Sequence, residues 1–243
     1  MNRRFSSEQL LERWEERREI QNTMVRFITQ DYLLRREKDM YEKYWTKAQD
    51  VCLGVNEGYY KGAEAVKSYY RGIDERTRLE SRLIQQRYPN RLGHLSDEEI
   101  YGVGIMSFKP LDTPVIEIAG DGRTAKAMYT IRGANTKLTP GGHVSYWEWA
   151  WVCADLVKED EDWKIWHLLY VKDLDVPNGI SWADAEPEYP DDPVLAPVRD
   201  FKFPEPNIKR TVREYYHTDR AFTPPPEYPE PYETFAETFS YGI

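Results

Sequence analysis

Four side chains in this sequence combine a proton-moving or anion-holding chemistry with a patterned setting: Glu148, His167, Tyr59 and Arg132. In the run from His143, Trp147, Trp149, Trp151 and Cys153 alternate with Tyr146, Glu148, Ala150, Val152, Ala154 and Leu156, so a strand places the two sets on opposite faces. Small aliphatics suit a face packed on helices. That points Tyr146 and Glu148 inward and leaves a tryptophan stripe that needs cover; the opposite assignment makes the tryptophans an inner clamp and Glu148 a surface residue. An inward carboxylate in apolar surroundings has a raised pKa and can serve as acid or base near neutral pH. In the next extended run Trp163, Ile165, His167, Leu169 and Val171 share one face, which predicts an inward His167, either a general base or a core histidine with one hydrogen bond. Tyr59 can donate a proton, hold a phenolic ring, or simply pack. Arg132 is an isolated cation in a strand of small and apolar residues, suited to a phenolate or carboxylate or to a surface salt bridge. Tyr146, Tyr129, His143 beside Gly141-Gly142, and Asp31 at a helix junction are further candidate substrate contacts.

These residues need helices and long strands to position them. Ser6 followed by Gln9 reads as a capping box, opening a helix with Leu10, Trp14, Ile20, Met24 and Phe27 at helical spacing. A second helix is expected over Tyr32–Trp45 and a third from Lys61-Gly62 to Pro89-Asn90. Val51–Tyr60 reads as extended with a turn at Asn56-Glu57-Gly58. Two hairpins follow: Val115–Ala119 with Thr124–Ala134 about Gly120-Asp121-Gly122, and His143–Val157 with Trp163–Asp173 about Glu159–Asp162. Centring the second turn between Asp160 and Glu161 pairs Glu148 near Asp173 and His167 near Ala154. This predicts Tyr146, Glu148, Arg132 and Tyr59 clustered at one end of the sheet, with His167 deeper.

The pattern implies an α+β fold, with helices packed on a strongly curved antiparallel sheet that forms a cone round an internal pocket over residues 1–176. Beyond Pro177 lie most of the 16 prolines, with aromatics and acids interleaved. Residues 177–243 read as an extended C-terminal tail, with a short helix near Ile208–Tyr216. Its many aromatics predict that it wraps the cone or a neighbouring subunit.

The net charge of −9 and the absence of a basic stripe argue against a nucleic-acid partner. No apolar run suits a membrane span and the first residues lack a signal peptide's apolar core, so a cytoplasmic protein is expected. Two distant cysteines argue against a disulfide framework. With no nucleotide, flavin or zinc motif, no cofactor and no metal are expected.

Ala154-Asp155-Leu156-Val157-Lys158-Glu159-Asp160 followed by Trp163-Lys164-Ile165-Trp166-His167 resembles the closing hairpin of the SnoaL-like branch of the nuclear-transport-factor-2-like superfamily. Gly58-Tyr59-Tyr60-Lys61-Gly62 with Val66 and Tyr69-Tyr70 is similar to that branch's entry into its third helix. The resemblance covers about residues 8–175. It implies a cone fold and, among its enzymes, cofactor-free dehydratases, isomerases, cyclases and an aryl lyase that expels formaldehyde, with Asp, His, Tyr or Arg projecting inward. The resulting expectation is an acid–base lyase, dehydratase or isomerase acting on a small hydroxylated aromatic or polycyclic molecule. A non-catalytic binding module and a structural scaffold remain the alternatives. The tryptophan stripe predicts a homodimer or homotrimer.

Overall fold

The computed structural model describes residues 5–32, 38–139, 142–183 and 196–243. Ser6 and Gln9 close a reciprocal capping box, Gln9 N–H donating to Ser6 Oγ and Ser6 N–H to Gln9 Oε1. It opens α1 (Ser7–Tyr32), which buries Ile20, Met24, Phe27 and Ile28. Helix α2 (Lys38–Tyr44) follows, then strands β1 (Cys52–Val55) and β2 (Gly58–Lys61). Helix α3 (Ala63–Arg87) gives way to the single turn α4 (Pro89–Leu92), where proline at the first turn forgoes a donor the helix would not use. Strands β3 (Ser107–Phe108), β4 (Val115–Ile118), β5 (Thr124–Thr139), β6 (Gly142–Glu159) and β7 (Asp162–Pro177) build most of the sheet. The short helix α5 (Ala196–Arg199) and strand β8 (Ile208–Lys209) lie in the C-terminal segment.

The eight strands form one sheet in the order β3-β5-β6-β7-β1-β2-β8, with β4 also on β5; β1 runs parallel to β7 and the other pairs are antiparallel. Strands of 16 to 18 residues cannot stay flat. The helices pack on the concave face, where Ala125, Ala127, Tyr129, Ile131, Ala150, Val152, Ala154 and Leu156 meet Phe27, Tyr44, Val66 and Tyr70 in the main core. Strand β6 thus turns its even-numbered, small aliphatic positions inward.

The β6–β7 pairing departs from simple hairpin counting. Leu156 pairs with Ile165 but Asp155 with His167, leaving Trp166 as an extra residue; Ala150 pairs with Lys172 but Trp149 with Leu174, leaving Asp173 extra. Each bulge inserts one residue and reverses which parity faces inward. Trp163, Ile165 and Leu168 therefore reach the helix-packed core, whereas Leu169 and Val171 join a second apolar cluster on the convex face. Glu148 pairs with Asp175 and His167 with Asp155, one residue beyond Asp155's neighbour Ala154 and two beyond Asp173.

The C-terminal segment corrects one expectation. Ile208-Lys209 is not helical; it extends the sheet beside β2. Phe203 packs edge-on against Tyr69, and Tyr60 Oη donates to the Pro204 carbonyl at 2.6 Å. Further on, residues 232–242 cross the convex face: Gly120 N–H donates to the Tyr232 carbonyl and Tyr241 N–H to Asp155.

Candidate active site

Glu148 lies on the concave face beside Ala150 and is 1% exposed. Its carboxylate accepts from the Tyr170 hydroxyl, from Asn135 Nδ2 at 3.0 Å and from the Lys172 ammonium at 2.9 Å; Lys109 Nζ stands 3.5 Å away. Several elements bring these groups together. Asn135 lies on β5 two residues beyond Gly133, the cross-strand partner of Glu148. Tyr170 and Lys172 share the inward parity that the Trp166 bulge gives β7. Lys109 arrives from the segment after β3, which crosses so close to β5 that a Cβ on Gly133 would meet the Phe108 carbonyl at 2.4 Å and Lys109 Cα at 3.3 Å. Only glycine at 133 admits that approach. Asn56, in the β1–β2 turn, receives the Lys172 N–H and donates to the Lys172 carbonyl, both at 2.9 Å, fixing the strand at this point.

The network continues. Lys172 Nζ also meets Asp175 Oδ2 at 2.8 Å, and Lys137 Nζ meets the same oxygen at 2.8 Å. Lys137 lies over the Tyr146 ring, 4.3 Å from its centroid. Burial pushes the Glu148 carboxyl upward, but Lys109 and Lys172, helped by the Tyr170 hydroxyl, outweigh it, and the net shift is below the ordinary carboxylate value. Glu148 is therefore an ionised group at neutral pH and not the raised-pKa acid expected from burial alone. Asp175 follows the same logic, with burial opposed by Lys172 and Lys137, and falls to about 2. Lys172, desolvated but held between two carboxylates, is raised well above its usual value.

The convex face carries a second buried ionic cluster. Lys126 and Asp155 are directly paired across β5 and β6, both fully buried, with Nζ 2.6 Å from Oδ1. Asp155 Oδ2 also receives Tyr241 N–H at 2.8 Å and Ser240 Oγ at 3.0 Å, and lies 2.9 Å from His167 Nδ1. The Lys126 ammonium sits 4.2 Å from the Phe239 centroid, 4.8 Å from Phe235 and 5.0 Å from Tyr241. The His167 ring stacks on Trp166 and covers Gly242, where a Cβ would collide with it at 2.7 Å.

The sequence-derived candidates divide accordingly. Glu148 and Tyr146 meet in the concave network. Tyr129 is on the same face, with its hydroxyl buried, without a hydrogen-bond partner among the described residues, and raised in pKa by desolvation. His167 is not inward: the Trp166 bulge turns it to the convex face and Asp155. Tyr59 also faces the convex cluster, with Cys52, Leu169 and Tyr241; its neighbour Tyr60 is the inward residue. Arg132 pairs across the strand with Trp149 and is 71% exposed, bound to Asp112, so it is a surface salt bridge. His143 stands near the tip of the β5–β6 hairpin against Gly104, its pKa lowered by burial against a smaller opposing pull from Glu80. The side chain of Asp31 lies outside the described residues.

Lys109, Asn135, Tyr170, Lys172 and Asp175 escaped the sequence reading. A usable signal existed for two of them, since Lys172 and Asp175, with Asp173, interrupt a strand end that is otherwise apolar or aromatic. Among the described residues, no three His, Cys, Asp or Glu side chains are grouped as metal ligands would be, and no helix is long and apolar enough to cross a membrane.

Comparison with known proteins adds a family. The model of the SnoaL-like domain matches residues 12–168. No curated protein matches. Among solved structures, the chain is similar to a Mycobacterium tuberculosis protein of unknown function (15% identity, 79% of this chain and 89% of that one, TM-score 0.47). It is also similar to a type 2 hexachlorocyclohexane dehydrochlorinase (16%, 73% and 97%, 0.46), and to a nuclear-transport-factor-2-like protein with a cystatin-like fold from Novosphingobium aromaticivorans (14%, 67% and 84%, 0.41).

Proposed function

This chain belongs to the SnoaL-like family, and we propose that it is a lyase, dehydratase or isomerase that needs no cofactor and uses Glu148 as its general base. One observation supports this above all: a carboxylate removed from water on the concave face, kept ionised by ammonium groups, with a phenol hydroxyl already in hydrogen-bond contact. Proton transfer by a positioned side chain typically contributes about 10²–10⁴-fold. In an elimination, Glu148 takes a proton from the carbon adjacent to the one that bears the leaving hydroxyl. That electron pair becomes the new double bond, the C–O bond breaks, and the departing hydroxide takes a proton from Tyr170 or the Lys109 ammonium. Lys109 also stabilises the enolate-like charge while it builds. Tyr146 and Tyr129 contact the substrate, which we take to be a small hydroxylated aromatic molecule. The test is turnover of a panel of such compounds, followed by loss of the mass of water or formaldehyde. Glu148→Gln and Tyr170→Phe should both fall sharply in kcat with unchanged circular dichroism; full kcat in both sinks the assignment.

A binding module is the second reading. Tyr44 Oη, Trp45 Nε1 and Tyr129 Oη are buried in the concave core without partners among the described residues. Each such donor costs about 1–3 kcal/mol unless something accepts from it, and a bound ligand's oxygens would. A ligand that binds tightly and leaves unchanged selects this reading. We further propose a homodimer or homotrimer assembled over the convex face, where Trp147 and Trp149 are 46% and 41% exposed; light scattering that finds only monomer overturns that.

A further inference from the structure

Just beyond β8 the C-terminal segment runs up to the concave network. The Arg210 and Val212 amides donate to the Glu57 and Asn56 carbonyls at 3.2 and 2.8 Å, and the Tyr216 amide donates to the Asp173 carbonyl at 2.8 Å. The Asn56 side-chain amide, which holds the Lys172 carbonyl, also donates to the Arg213 carbonyl at 3.0 Å. Arg213 is 5% exposed, and its guanidinium binds Asp173 and the carbonyls of Thr223 and Pro224. Residues 213–216 are thus pinned alongside Lys172 and Asp173 of β7. They lie outside the stretch matched by the SnoaL-like domain, residues 12–168.

Tyr215 stands within this pinned stretch. Its ring is partly open to solvent, with 38% of the residue exposed, but its polar end is withdrawn from water. Burial raises the phenol pKa, Lys172 opposes that, and Glu57, Asp175 and Glu148 push the same way as burial. Three of those four charges belong to the concave network. Among the described residues the Tyr215 hydroxyl makes no hydrogen bond. It does not serve the network either: Glu148 accepts from Tyr170 and Asn135, and Asp175 Oδ1 has no donor. A hydroxyl desolvated without a partner is costly, and the backbone bonds on both sides hold it in that position.

We propose that Tyr215 is a substrate-binding residue contributed by the C-terminal segment, its hydroxyl donating to an oxygen of a hydroxylated aromatic molecule at the rim of the concave site, beside Lys172. The inference rests on the proposed function for where the site lies and for the class of molecule.

The experiment has one arm on placement and one on binding. Fluorotyrosine introduced at position 215 reports the surroundings of that phenol through its fluorine resonance. The resonance should move when Glu148→Gln removes a carboxylate, and should move saturably on titration with phenol. In calorimetry, Tyr215→Phe should weaken phenol binding by about three- to ten-fold, the worth of one hydrogen bond. Benzene, which offers no oxygen, should bind both proteins equally. Because the hydroxyl has no partner within the protein, the same variant should keep the wild-type Tm. A fall in Tm with phenol affinity unchanged marks a structural tyrosine and overturns the proposal. So does a fluorine resonance indifferent to Glu148→Gln or to phenol, and so does equal phenol affinity in Tyr215→Phe at an unchanged Tm. Failure of the general base reads differently. If Glu148→Gln keeps its kcat while Tyr215→Phe still loses phenol affinity, Glu148 leaves the mechanism and Tyr215 stays in the site.

Discussion

The two faces of this sheet each bury a carboxylate against a lysine on a neighbouring strand, yet only one of the two sites is closed. On the convex face Asp155 meets Lys126, His167, Ser240 and the Tyr241 amide, and aromatic rings surround the lysine. Every strong acceptor position there is filled by the chain itself. On the concave face Glu148 is as deeply buried, but its network runs out to two half-buried lysines and ends on an Asp175 oxygen with no donor. A satisfied ionic cluster specifies structure, while an unfinished one leaves work for a ligand.

The largest expected effect that would sharpen this contrast is on turnover. Glu148→Gln should lower kcat by about 10²-fold or more, while Asp155→Asn should leave kcat within about two-fold in whatever fraction remains folded. If the two variants lost activity equally, the division between faces would collapse. Stability should show the reverse emphasis in one respect. Removing one partner of a buried pair typically costs about 3–5 kcal/mol, and Asp155→Asn should lose that much by urea denaturation. It should also free residues 232–242 from the sheet, so that Cys52 and Cys153, both buried beneath them with their thiol pKa values raised by burial, react with a thiol reagent. Thiols that stay unreactive would show that the aromatic packing alone holds the segment.

Acid should separate the faces next. Asp175 is lowered from 3.8 to about 2, so its ion pairs contribute stability above pH 3.8 that is lost as pH falls towards 2, roughly 2 kcal/mol in all. Because Glu148 is also shifted below its ordinary 4.5, kcat/KM should show no acid limb above about that pH. A limb near neutrality would point to a different base. The smallest effects belong to the residues that the fold turns away from the concave site. His167→Gln should cost about 1 kcal/mol of stability through its lost hydrogen bond, and Arg132→Gln less than about 0.5 kcal/mol; neither variant, nor Tyr59→Phe, should change kcat appreciably.

Much of the architecture was legible in the chain. The Ser6–Gln9 box, the Gly120–Gly122 turn and the alternation from His143 name their elements directly, because each is a local signal with a local cause. Glu148 and Tyr146 could be assigned inward since β6 keeps its register with β5 over its whole length. His167 could not. Its orientation depends on one inserted residue, Trp166, and nothing in the composition of Trp163–Val171 marks where a bulge falls. Tyr59 and Tyr60 are adjacent tyrosines with opposite destinations, and the convex-facing one is covered by Tyr241, a residue far away in sequence. Arg132 shows the limit of reading type without environment, because its partner Asp112 arrives on a separate segment.

The closure of the convex face also bears on the order in which the protein can be made. Asp155 waits 86 residues for the amide of Tyr241. On a ribosome, strands β5 and β6 emerge with Lys126 and Asp155 still hydrated, and their desolvation is deferred until the covering segment has been synthesised. The sheet can thus pair first as an ordinary amphipathic surface with a charged cross-strand couple. Only afterwards does the arriving peptide exclude water from it. A late docking phase in refolding, seen in Trp166 fluorescence after the bulk of the β signal has formed, is the kinetic trace such a sequence of events would leave.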